Sequence, residues 1–165
     1  MTAAGLTLRD AVAEDLPLVV HFVATLAEYE RLGHLVVGTE ADFGRLLFGT
    51  PRRAEALIAE WDAAPIGFAL WYFGVSTFAA RPTLYLEDVF VEPARRGRGI
   101  GRAIFAELAR RAVAAGCGRM EWSVLDWNAP SIAFYRSLGA RPREGWTLQQ
   151  LTGPALNALA AAQGR

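Results

Sequence analysis

Residues 84–105 read LYLEDVFVEPARRGRGIGRAIF. The first eight are aliphatic, aromatic or β-branched except for Glu87 and Asp88, so they predict a strand. Pro93 ends that run. Arg95, Arg96, Gly97, Arg98, Gly99, Ile100 and Gly101 follow as a glycine-rich loop, and apolar residues then recur at helical spacing from Arg102 onward. A strand therefore feeds a loop that opens a helix. The first N–H groups of a helix lack internal partners, and its dipole is positive there. Glycines let the loop backbone turn its own N–H groups toward one point, and the arginines add charge. The stretch describes a cradle for a pyrophosphate.

Three glycine-rich patterns compete for it. A Walker A loop needs Gly-Lys-Ser/Thr, and the chain contains no lysine. A dinucleotide fingerprint needs G-x-G-x-x-G, but the sixth position is Arg102 counted from Gly97 and Ile104 counted from Gly99. Glu121 alone falls about where that fingerprint's ribose-binding acid would lie, roughly 20 residues on. The pattern that fits is Arg96-x-x-Gly99-x-Gly101 behind a strand, which resembles the coenzyme A loop of the GNAT acyltransferases. The plainer alternative is a tight strand-to-helix turn with its arginines in solvent.

Working outward, 165 residues with 53% hydrophobic content predict one domain, residues 1–165, with a normal core. A formal net charge of zero gives no global attraction to nucleic acid or membrane. No apolar run reaches membrane-spanning length, and no leader segment is expected. Cys117 is the single cysteine, and His21 and His34 are isolated, so neither a disulfide nor a metal centre is expected. A cytoplasmic protein is the default expectation.

The remaining elements bracket the loop. Strands are predicted at residues 6–9, 54–61, 66–75, 119–125 and 146–151. Helices are predicted from Leu16, capped by Asp15, to about Glu30, then from a Thr39 cap through Phe48. Further helices run from the glycine loop to about Gly116, from Pro130 to Gly139, and over residues 154–162. The aromatic run Trp71, Tyr72, Phe73 reads as core of a central strand. The order predicts a mixed α/β fold: a mostly antiparallel twisted sheet of about six or seven strands flanked by helices, with the glycine loop after strand 4.

Five segments in order make a narrower resemblance. They are LAEYE at 26–30, YLEDVFV at 85–91, RGRGIG at 96–101, WNAPSIAFY at 127–135 and EGW at 144–146. Together they resemble the diamine acetyltransferases of the GNAT superfamily, the spermidine/spermine and thialysine enzymes, over residues 7 to about 151. The resemblance implies direct transfer of an acetyl group from acetyl-CoA to a primary amine, with coenzyme A as product. It implies that the backbone of Val89, Phe90 and Val91 pairs with the pantetheine arm. Arg96, Gly97, Arg98, Gly99, Ile100, Gly101 and Arg102 would hold the pyrophosphate, and Asn128, Pro130 and Ser131 would contact the cofactor from its other side. Tyr135 matches the general acid, which also contacts the cofactor.

The chemistry suits those roles. Strand N–H groups can stabilise the oxyanion that develops when an amine attacks a thioester, and a phenol can return a proton to the departing sulfur. The amine, with a pKa of about 10.4, must first lose a proton. Glu87 and Asp88 are the candidate acceptors, directly or through water, against the alternative of an idle strand-end or bulge position. By the same resemblance Tyr29, Glu30, Glu87 and Glu144 line the amine site. Glu121, Trp122 and Ser123 fall beside it, the first two departing from the polyamine enzymes. Several carboxylates around one pocket favour a small cation with more than one positive charge. A protein N-acetyltransferase and a non-catalytic acyl-CoA sensor are the competing functions. A homodimer is expected by family resemblance, with residues 146–151 as an apolar strand available to a partner.

Overall fold

The computed structural model describes residues 5–162, and its first unit, through Asn128, is built on a five-stranded sheet in the order β1 to β5. The strands are β1 (Leu6–Asp10), β2 (Glu55–Trp61), β3 (Ala64–Ser76), β4 (Arg81–Val91) and β5 (Met120–Glu121). Neighbours from β1 to β4 are antiparallel, and β5 returns parallel to β4. That last connection needs a crossover, supplied by α3 (Ile100–Ala114). Two helices, α1 (Leu16–Tyr29) and α2 (Glu40–Phe48), lie between β1 and β2 in the chain. The architecture is an α/β fold on a mixed sheet, with the glycine loop after strand 4 as expected. Five strands form among the described residues, not six or seven.

Alternation along the strands separates two apolar layers. Val19 and Phe22 of α1 and Leu47 of α2 join Ile58, Phe68, Leu70 and Phe90 in one buried cluster. Phe22 stacks on Phe68 at 5.6 Å. Side chains of the other parity include Leu57, Ala69, Trp71, Leu84 and Leu86, all buried, and the Arg111 guanidinium of α3 lies 5.1 Å from the Trp71 ring centroid. Gly67 is required where β3 approaches β4, because a Cβ there would collide with the Phe90 carbonyl oxygen. Gly67→Ala is expected to cost about 2–3 kcal/mol and lower the melting temperature by about 5–10 °C, as read by thermal unfolding.

Several expectations need correction. Asp15 precedes α1 but does not cap it: its carboxylate accepts from the Arg9 guanidinium at 2.5 and 2.8 Å and from the Val12 N–H at 2.8 Å. A charged partner one strand away outcompetes the helix amides. The Thr39 cap does form, with Asp42 accepting from the Thr39 N–H and the Asp42 N–H donating back to Thr39 Oγ1. The predicted strand at 119–125 shortens to Met120–Glu121, paired only with Leu84 and Tyr85. Trp71 is core, but Tyr72 and Phe73 are 38% and 42% exposed, because β3 there has run past the helices that cover its start.

The second unit, from Ala129, contains α4 (Ala129–Ser137) and α5 (Gly153–Ala161). Residues 146–151 form no strand among the described residues. Their alternation supplies β propensity, but a ladder also needs an adjacent edge, and Trp146 and Leu148 are 64% and 86% exposed. No described helix is long and apolar enough to cross a membrane.

Candidate active site

A short 3-10 turn, Pro93–Arg95, carries the chain from β4 to the glycine loop. Gly97 and Gly99 adopt φ of 77° and 81°, where a side chain would be strained. Gly99 is the N-cap of α3; no side chain caps this helix, and its first turn contains no acid. The leading amides of α3 are thus available to an anion. A Cβ built on Gly97 or Gly99 meets nothing within 4 Å, so the loop opens onto free space. These features fit an anionic diphosphate. Arg98 reaches back to the Trp61 ring at 5.8 Å. Arg96, though exposed, folds back along β4: its Nε donates to the Val91 carbonyl at 3.0 Å and its guanidinium covers the Tyr29 ring at 4.7 Å.

The acids take their positions from one extra residue. Leu70 pairs with Asp88, but Trp71 pairs with Leu86, which leaves Glu87 as a bulge in β4. Strict alternation from Leu84 and Leu86 would send Asp88 to the layer shared with Trp71. The bulge instead puts it on the Leu70 and Phe90 side, with α1. There Asp88 is half-buried, and its carboxyl is pushed up to about 6 by burial first, then by the charges of Glu87 and Glu30. Burial also raises Glu30, which follows the last turn of α1. Glu87 is exposed. The same bulge swings β4 away from β5, whose pairing stops at Tyr85 and Glu121. Among the described residues, the edge of β4 beside Val89, Phe90 and Val91 has no strand neighbour on that side.

Aromatic groups flank the acids. Tyr29 lies 6.2 Å from Trp127, whose ring also receives the Arg31 guanidinium at 5.9 Å. On the β3–β5 row, Tyr72 stacks on Tyr85 at 5.2 Å, and the Tyr85 hydroxyl shares a 2.8 Å hydrogen bond with Ser123 Oγ. Burial and the charges of Glu87, Tyr85 and Glu121 raise the Tyr72 phenol. Glu121 is paired with Arg119 at 2.9 Å, and Trp122 meets Phe105 of α3 edge-on at 5.0 Å. The structure thus gathers Tyr29, Glu30 and Asp88 and places Ser123 and Glu121 on the tyrosine row, while Trp122 lies against α3. The sequence makes Tyr72 strand core and gives Tyr85 and Arg31 no role of their own in the site; the register Tyr72↔Tyr85 and Tyr85↔Glu121 that aligns the two tyrosines is a pairing property.

Asn128 is buried, and its N–H donates to the Leu125 carbonyl at 2.8 Å. In the second unit, Pro130 lies in the first turn of α4, and Ser131 and Tyr135 fall one turn apart on a single face. Phe134 and Tyr135 rings are 5.5 Å apart. Glu144 is exposed beyond that helix.

Among the described residues, a helix end behind glycines without a side-chain cap, a strand edge without a strand neighbour and a carboxyl raised to about 6 are features that a group-transfer site using a phosphorylated carrier needs. Comparison with known proteins agrees. Residues 23–140 match the model of the acetyltransferase (GNAT) family. The thialysine N-epsilon-acetyltransferase of Sus scrofa is 35% identical, covering 95% of this chain and 98% of that protein. The L-ornithine N5-acetyltransferase NATA1 of Arabidopsis thaliana is 28% identical over 92% and 86%. An integron cassette protein from the mobile metagenome of V. cholerae shares the fold, with a TM-score of 0.79 at 24% identity over 97% of this chain and 100% of that one. The chain belongs to the GNAT acetyltransferase family and is an acetyltransferase; the family implies acetyl-CoA as donor.

Proposed function

We propose that this chain acetylates a primary amine of a small cationic substrate of the diamine, thialysine or ornithine type. The carrying observation is the group of Glu30, Glu87 and Asp88 at the end of α1 and the bulge of β4. Three carboxyl groups draw a cation. Thialysine and ornithine, named for the relatives in pig and Arabidopsis, each carry two amino groups.

The residue roles follow the family resemblance. The loop amides at Gly97, Gly99, Ile100 and Gly101 hold the donor's pyrophosphate, with Arg98 and Arg102 adding charge. By that resemblance Val89, Phe90 and Val91 pair with the pantetheine arm, and Asn128, Pro130 and Ser131 are further contacts of the donor. Acetyl-CoA, when bound, supplies an acetyl thioester open to attack by the amine. Asp88 takes the proton from the substrate ammonium, directly or through water held by Glu87. Tyr135 keeps its phenolic proton for the sulfur that leaves. The same resemblance assigns Glu144, Glu121 and Ser123 to the amine substrate. We read residues 1–165 as one working domain in a cytoplasmic homodimer, for which exposed Trp146, Leu148 and Leu151 offer apolar surface.

Thiol release from acetyl-CoA across an amine panel tests this. The panel holds ornithine, thialysine, lysine, short diamines, spermidine, spermine, an aromatic amine and a lysine-containing peptide. Dicationic amines are expected to exceed the aromatic amine in kcat/KM by about 100-fold, because two charges meet the carboxylates instead of none. Turnover of the peptide alone would overturn the small-molecule reading.

A further inference from the structure

We propose that Arg96 is a positioning residue that ties the acetyl-donor loop to the amine wall, rather than a ligand of the donor's phosphates. The inference rests on the site reading above. Arg96 is the residue before Gly97, in extended backbone at φ −65° and ψ 162°. From there its side chain runs back along β4. The Nε–H donates to the Val91 carbonyl at 3.0 Å. The guanidinium lies over two rings, its central carbon 4.7 Å from the centroid of Tyr29 and 5.9 Å from that of Phe90. Phe90 in turn contacts Phe22 of α1 at 5.8 Å, so the stack is rooted in the core.

Two features make the arrangement a tie. A charge-assisted bond to the Val91 carbonyl fixes the end of the strand whose free edge faces the donor. Stacking on Tyr29 fixes the last residue of α1, next to Glu30 and beside Trp127. A planar guanidinium can do both at once, whereas the flexible ammonium of lysine cannot hold that plane. Holding the carbonyl needs a donor at the Nε position; holding a phosphate needs a positive charge. Two substitutions separate these requirements. Glutamine places its Nε2 amide donor at the same number of bonds from the backbone and has no charge. Lysine keeps the charge and has a methylene at that position.

The experiment measures coenzyme A affinity by calorimetry and amine KM at saturating acetyl-CoA for wild type, Arg96→Gln and Arg96→Lys. Melting temperatures of Arg96→Lys, Tyr29→Leu and their combination complete it. A tie predicts that Arg96→Lys raises amine KM about tenfold with coenzyme A affinity within about threefold, and that Arg96→Gln does less harm to both. It also predicts that the double variant loses less melting temperature than the two single losses added together. Loss of coenzyme A affinity of about tenfold in Arg96→Gln, with Arg96→Lys near wild type, would make Arg96 a phosphate ligand and overturn the proposal. Additive melting losses would overturn it as well. If wild type turned over no amine on the panel, the proposed function would fail, while the calorimetry and the melting cycle would still decide the tie.

Discussion

Asp88→Asn is expected to stabilise the protein and to disable it. The Asp88 carboxyl titrates near 6 in the folded chain, against an ordinary value of 3.8. The native state therefore binds more protons than the unfolded state between about pH 4 and pH 6, and stability falls as pH rises through that window. Above it, keeping the charge beside Glu87 and Glu30 in a half-buried site costs on the order of 2–3 kcal/mol. Asparagine has the same shape and no charge to bury. At pH 8 the variant should melt about 5 °C or more above wild type, and the gain should vanish near pH 4. The kinetic effect runs the other way. A carboxylate of pKa near 6 is mostly ionised at neutral pH and still basic enough to exchange a proton with an ammonium through water. Its loss should lower kcat/KM about 100-fold and remove the acid limb of the pH profile near 6. Calorimetric melting and a pH–rate series on both proteins would check the two halves. An unchanged acid limb would move the base to another group, with Glu87 first in line.

Much of this site was legible in one stretch. Pro93, the glycines and the helical spacing after Arg102 are local signals, and they placed β4, the loop and α3 within a few residues of their observed bounds. Local signals fail where a partner decides. The bulge at Glu87 is a matter of register between β3 and β4, and no pattern inside residues 84–91 shows that Asp88 follows Phe90 rather than Leu86. Asp15 has an N-cap's sequence position, but Arg9 claims its carboxylate. Tyr72 continues an apolar run, yet it is partly exposed and stacks on Tyr85 across the strand pair. Arg96 belongs to the loop by sequence and to the α1 end by contact. Residues 146–151 carry strand propensity but form no strand among the described residues. Composition set what each residue could do, and contacts outside the local pattern chose among the options at Asp88, Asp15, Tyr72 and Arg96.

Tyr135→Phe is expected to lower kcat by about 100-fold or more with little change in either KM, because the variant keeps the ring and loses only the hydroxyl that carries the proton. Tyr135 sits one turn after Ser131 on α4, and its ring is steadied by Phe134 at 5.5 Å. A phenol of pKa about 10 is a weaker acid than an alkyl thiol of about 8.5, so donation to a fully formed thiolate is uphill by about 2 kcal/mol in water. That is small against the barrier to expelling a thiolate unaided. It means that the phenol helps most while charge is still developing on sulfur, as general acid catalysis requires. The amine, once acetylated, becomes far more acidic and returns the balance of the proton. A loss confined to kcat is therefore the signature of the acid role. Steady-state kinetics with acetyl-CoA and the best amine of the panel, beside calorimetry with coenzyme A, would read it. A tenfold rise in acetyl-CoA KM at unchanged kcat would instead make Tyr135 a binding contact, and the sulfur would have to take its proton from water.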